Sequence, residues 1–216
     1  MKSIDFPYFV GVFMIINIFN TNCVPINMCA GSNERSNVFQ IASSETLTES
    51  IPRLLQKFQL FIRNLGEFIS ILNERGLRGD QHLLEAVTSS ESLDGFPDLD
   101  LQPAEGDVDE QLLKDYHILL TVWPFVEHMY LIEKDSDRQL YISFVNGLYS
   151  VLENLICEFY SILVNRNGVI PPLETPSIVP EAYKEMSAAS RHLYHYLVAR
   201  DMQHIVSLLG NRYRDM

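Results

Sequence analysis

Positive charge is scarce in this chain: 16 Lys and Arg stand against 28 Asp and Glu, a net charge of −12. Such a surface repels phosphate backbones and anionic lipid heads, and no basic run offsets it, so nucleic-acid binding is excluded. Cysteine is nearly absent, with Cys23, Cys29 and Cys157 alone. That rules out a disulfide-dense scaffold, and no Cys-x-x-Cys pair suggests redox or zinc chemistry. There is no Gly-x-Ser-x-Gly elbow and no phosphate-binding glycine loop. No Asn-x-Ser/Thr sequon occurs, so N-glycosylation is not expected. A di-iron bundle would need Glu-x-x-His on two helices, and that motif does not occur. His192 and His195 are three apart on one expected helix, but no neighbouring Cys or Asp completes a metal set, so solvated or partly packed histidines are expected. His82, His117 and His128 are scattered. No enzyme, metal or cofactor is expected.

Aromatic residues, by contrast, are plentiful, with 12 Phe and 10 Tyr among 216 residues, which is enough for one domain with a sizeable core. Near the start, Phe9 to Phe19 is an apolar run of about 11 residues, interrupted by Asn17. It is too short for a membrane span of ~20 residues and suits the apolar core of a secretory signal. Residues 1–23 read as that signal, with cleavage between 23 and 31, and 24–45 read as a loose lead-in. No later stretch is expected to cross a bilayer, so the expected product is soluble and secreted. Once Cys23 leaves with the leader, Cys29 and Cys157 either pair in an oxidising compartment or remain two free thiols.

Four amphipathic stretches follow. The first runs from Thr46, with Glu49 at capping-box spacing, to Arg75. Its apolar positions are Leu47, Ile51, Leu54, Phe58, Phe61, Leu65, Phe68 and Leu72, alternating steps of four and three. Gly76 and Gly79 end it. The second is capped by Asp107 and Glu110 and runs to Glu133, with a seam of Leu112, Tyr116, Leu119, Trp123 and Val126 and a kink expected at Pro124. The third spans 137–165 with Leu140, Phe144, Leu148, Val151, Leu155, Phe159 and Ile162 on one face. The fourth spans 181–212 with two stripes, Leu193, Leu197 and Leu208 beside Tyr194, Val198, Met202, Ile205 and Leu209.

The gaps run long, short, long. Residues 76–106 form the first, with a small apolar patch at Leu83–Val87 and an extended segment whose Phe96, Leu99 and Leu101 are expected to strap the bundle. The second is Lys134-Asp135-Ser136. The third holds Pro171, Pro172, Pro176 and Pro180 and is stiff and extended. A helix of ~29 residues is ~43 Å long. A connector of ~13 residues reaches ~43–47 Å. The outer gaps can therefore span the bundle and the middle one cannot. The sequence thus predicts an all-α, long-chain four-helix bundle in up-up-down-down order over 46–216, with long first and third crossovers.

With those residues in view, the chain resembles the interleukin-6 family of long-chain four-helix cytokines. The end of the last helix, Leu197-Val198-Ala199-Arg200-Asp201-Met202 through Arg214-Asp215-Met216, is similar to the end of that family's fourth helix. Gly147-Leu148-x-x-Val151-x-x-x-Leu155 is similar to its third-helix signature, with Val151 in place of an aromatic. Gly95-Phe96-Pro97-Asp98-Leu99 and Val169-Ile170-Pro171-Pro172 resemble loops of its cardiotrophin and ciliary neurotrophic factor branch. The resemblance implies a secreted, monomeric ligand that assembles class I cytokine receptors, a gp130-type signalling chain with or without a specific alpha receptor, and triggers JAK–STAT signalling. It also implies receptor contacts at Arg212 and Arg214, at Phe96 in the first long loop, and at Tyr183 and Lys184 near the start of the fourth helix. The competing expectation is a secreted bundle that opens its apolar seams around a lipid or another hydrophobic ligand.

Overall fold

The structure is a computed structural model that describes Cys29, residues 47–76, 93, 95–97, 107–136, 138–167, 170 and 188–214. All regular structure among these residues is helical. Helix α1 is Leu47–Gly76, α2 Val108–Lys134, α3 Ile142–Asn167 and α4 Ala188–Arg214. At 30 residues, α1 is ~45 Å long. The Thr46 cap, the Leu83–Val87 patch, Leu99, Leu101 and residues 181–187 lie outside the described residues.

Helix α1 lies against α3 and α4, while α2 packs chiefly on α3 and more lightly on α4. Six of the eight expected seam positions of α1, Leu54, Phe58, Phe61, Leu65, Phe68 and Leu72, are fully buried, while Leu47 and Ile51 in its first turns are half-buried. The first half of α1 meets the last turns of its neighbours. Phe58 stacks on Tyr213 at 5.9 Å and meets Phe159 edge-on at 6.0 Å, while Tyr213 and Phe159 touch at 5.6 Å. The later Phe68 instead meets Tyr141 and Phe144, at the start of α3, and His195, near the start of α4. Backbone closeness helps at the first of these contacts, where a Cβ on Gly210 would come 3.4 Å from Phe58 Cβ.

In α2 the seam is wider than its heptad spacing suggests, since Leu120, Val122, Phe125 and Met129 join Leu112, Tyr116, Leu119, Trp123 and Val126 in the core. The helix continues through Pro124. Asp107 occupies the N-cap with extended backbone, but its side chain makes no capping bond, so the expected cap is not used.

The start of α3 departs from expectation. Helix begins at Ile142 rather than 137, because Gln139 takes a left-handed φ of 44° and the Glu133 carboxylate captures the Tyr141 N–H at 2.9 Å. Gln139 Nε2 also donates to the Lys134 carbonyl at 3.1 Å. The turn rotates the seam: Leu140 is exposed, Tyr141, Val145 and Leu152 are buried, and Phe144 and Val151 are only half-buried.

Cys29 and Cys157 form a disulfide, with Cα atoms 5.2 Å apart and 128 residues apart in sequence. Beside it, Glu158 receives Lys57 at 2.6 Å and Arg53 at 3.0 Å from α1. By length and composition Ile142–Arg166 could cross a membrane, contrary to the expectation of no such stretch after the leader. Its apolar residues are used differently here: Leu148, Leu152, Leu155, Ile156 and Phe159 are buried in the core.

Closing a loop of over 100 residues restricts the unfolded chain by about 4–5 kcal/mol in the chain-entropy view, and removing native disulfides costs about 2–5 kcal/mol. The Cys29→Ser/Cys157→Ser pair is therefore expected to lose about 2–5 kcal/mol in urea unfolding while keeping native helicity.

Candidate functional site at the α4 end of the bundle

Asp115 lies between Leu112, Tyr116 and Leu119 on the apolar face of α2, so folding carries a carboxylate into the core. It is fully buried. Three donors meet it there. Gln111, one turn earlier, donates at 2.7 Å to Oδ1, Tyr213 donates its hydroxyl at 2.7 Å to Oδ2, and Arg212 brings its guanidinium to Oδ1. A buried carboxylate without partners would cost several kcal/mol, so the node stands only because it is complete. Burial, and next the adjacent Asp115 charge, hold the Tyr213 hydroxyl well above the usual phenol range, so it remains a donor. Close by, Asp109 in the first turn of α2 pairs with Arg166 in the last turn of α3.

This arrangement separates two arginines that the sequence paired. Arg212 is committed to Asp115, its side chain only 14% exposed, and acts as a fastener rather than an open contact. Arg214 is exposed in the last turn of α4. There its cation also complements the negative end of the helix dipole.

Phe96 is placed in the core as well. Its ring is buried and crosses Phe125 at 4.9 Å, so it packs on the bundle. The strap role expected for it holds. Gly95 adopts a φ of 77°, the Phe96 N–H returns to the Leu93 carbonyl at 2.9 Å, and Asp201 on α4 accepts the Leu93 N–H at 2.7 Å. Arg200 donates to the same carboxylate at 2.6 Å, fixing it. Tyr183 and Lys184 lie outside the described residues.

A further departure sits toward the other end of α2 and α4. His195, expected to be solvated or partly packed, is fully buried, with Glu133 Oε1 3.7 Å from Nδ1. Among the described residues no group of three His, Cys, Asp or Glu side chains could hold a metal ion. Trp123 belongs to the core, 4.5 Å from Tyr149.

Asp115 and Glu133 were not singled out from the sequence as buried groups, and His195 was expected to be solvated or partly packed, although a signal existed. Each falls on the 3–4 spacing of its helix seam, and a charge or imidazole in such a register is either a misfit or a buried node. No protein-family model, curated protein or solved structure matches the chain.

Asp115→Ala would leave Arg212 and the Tyr213 hydroxyl without their acceptor, at an expected cost of about 3–5 kcal/mol. Arg214→Glu, on the exposed turn, is expected to stay within about 0.5 kcal/mol of the parent. Urea unfolding of the two variants side by side separates fastener from surface.

Proposed function

We propose that this chain is a secreted helical cytokine that bridges class I receptors of the gp130 type and so triggers JAK–STAT signalling. The observation that carries this reading is how helix ends meet. Phe58 near the start of α1 touches the ends of α3 and α4, and Phe68 near its end touches their starts. Helix α2 behaves alike: Asp115 meets Arg212 and Tyr213, whereas Tyr130 meets Tyr149 and His128 meets Tyr194. These contacts favour α1 and α2 running one way and α3 and α4 the other, the up-up-down-down order of long-chain cytokines. That order needs two connections as long as the bundle. Residues 77–107 and 168–187 have the reach, and 135–141 need only turn a corner.

Two further observations support it. A disulfide is compatible with an oxidising compartment, as secretion requires. The bundle axis is filled by Phe58, Phe159 and Tyr213 in ring contact, which suits a rigid ligand better than a carrier that opens its seams. In this reading Arg214 is the receptor-facing cation, Arg212 and Asp115 hold its turn in place, and Phe96 anchors the first crossover.

The test is receptor-dependent STAT phosphorylation in cells bearing species-matched gp130-type receptors, with and without related alpha receptors. The leaderless chain is expected to signal. Arg214→Glu should shift the response by roughly tenfold or more with its melting curve unchanged, as reversal of a contact-surface charge does. Silence from the folded parent across matched receptors would overturn the reading.

A further inference from the structure

His195 occupies a slot built for an uncharged ring. It is fully buried, and neither ring nitrogen has a hydrogen-bond partner. From α1, Phe68 lies 6.3 Å away between ring centroids, and from the start of α3, Tyr141 approaches edge-on at 6.1 Å. On its own helix Tyr194, His192 and Arg191 are near, and α2 contributes His128 and Glu133. Arg75 of α1 acts on the neighbouring Tyr141 hydroxyl.

Glu133 is already engaged. Its Oε2 accepts the Tyr141 N–H that begins the corner into α3, and its Oε1 stops 3.7 Å short of His195 Nδ1. The Tyr141 ring in turn packs edge-on against His192 at 5.2 Å. One carboxylate thus fixes the α2–α3 corner, and that corner is stacked on the α4 histidines.

We infer that Glu133 and His195 form an acid-released latch, which fastens the α2–α3 corner to α4 at neutral pH and lets it go as the medium acidifies. An imidazolium needs acceptors for two N–H groups. The slot offers no acceptor within hydrogen-bond reach. Glu133 Oε1 could close on the Nδ1–H from 3.7 Å while Oε2 keeps the Tyr141 N–H, but the Nε2–H would still be buried without an acceptor. The remaining escape is for His195 to leave the slot, which withdraws the ring on which Tyr141 and the corner are packed. This device is independent of which receptor the chain meets.

The direction follows from linkage. Burial first, then the cationic surroundings of His192, Arg191 and His128, push the closed-state pKa of His195 down to about 3, from an ordinary 6.5. The open state therefore takes up the proton first. The closed corner keeps its full stability above pH 6.5 and loses it as pH falls from there toward 3, by up to about tenfold in the opening equilibrium per pH unit. At pH 5 the opening is favoured about 25-fold over its value at pH 7.

Amide hydrogen exchange on the folded chain tests this directly, at pH 7 and pH 5 and corrected for intrinsic rates. The Tyr141 amide is expected to gain about 25-fold in opening. Leu119 and Val122 amides, in mid-α2, should stay within about threefold, since the latch is local. In His195→Phe, which keeps a ring in the slot, the acid gain should vanish. An equal gain in His195→Phe, or none in the parent, would overturn the latch. Should that variant not fold, the ring resonances of His195 in the parent decide: unmoved through pH 5 supports it, and titration near 6.5 in the folded state sinks it.

Discussion

Phe58, Phe61, Leu65, Phe68 and Leu72 lie along α1 between α3 and α4, and burial of this stripe is the constraint to which the other helices answer. Each such side chain contributes about 1.5–3 kcal/mol when taken from water. Because the stripe keeps its 3–4 spacing for most of the helix, it faces one seam throughout. Helices α3 and α4 must then turn their own apolar stripes to it, and α2 closes the remaining side against α3. The aromatic content suits such a seam, because rings at 5.6–6.0 Å fill the end of the axis with few rotatable bonds to immobilise.

Apolar stripes alone leave the register of long helices loosely specified, since each can slide by a turn at modest cost. Three buried or half-buried carboxylates remove that freedom. Asp115 ties the early part of α2 to the last turn of α4, Glu133 ties its end to the corner before α3, and Glu158 ties α3 to Arg53 and Lys57 of α1. None is strong evidence for net stability, because desolvation offsets most of the attraction. Their effect is on alternatives: a slipped helix would strand a charge in the core. An acidic chain thus uses a few of its many carboxylates inside, where each is matched.

The four helices and the α1 seam were legible in the sequence because α1 carries one sharply apolar face. Helix α3 was less so. Leu140, Phe144 and Val151 have the right spacing, but the captured Tyr141 amide and the left-handed Gln139 delay the helix and turn it, and no local propensity announces either. The candidate site was legible only in composition. Arg212 and Arg214 read alike in sequence, and the partner that distinguishes them, Asp115, lies 97 residues from Arg212. Phe96 was read both as a strap and as a receptor contact, and its burial against Phe125 accounts for the strap.

The disulfide draws a topological boundary through the molecule. Residues 29–157 form a covalent ring that holds α1, α2 and α3 as far as Cys157, while the rest of α3 and all of α4 lie outside it. A pull applied to the two ends of the chain would therefore pass through Cys29 to Cys157 and bypass the ring. Force would act on the rest of α3 and on α4, and the slack released would be limited to the segments outside the ring. Mechanically, the chain is a closed hoop with one detachable stave, and that stave carries Arg212, Tyr213 and Arg214.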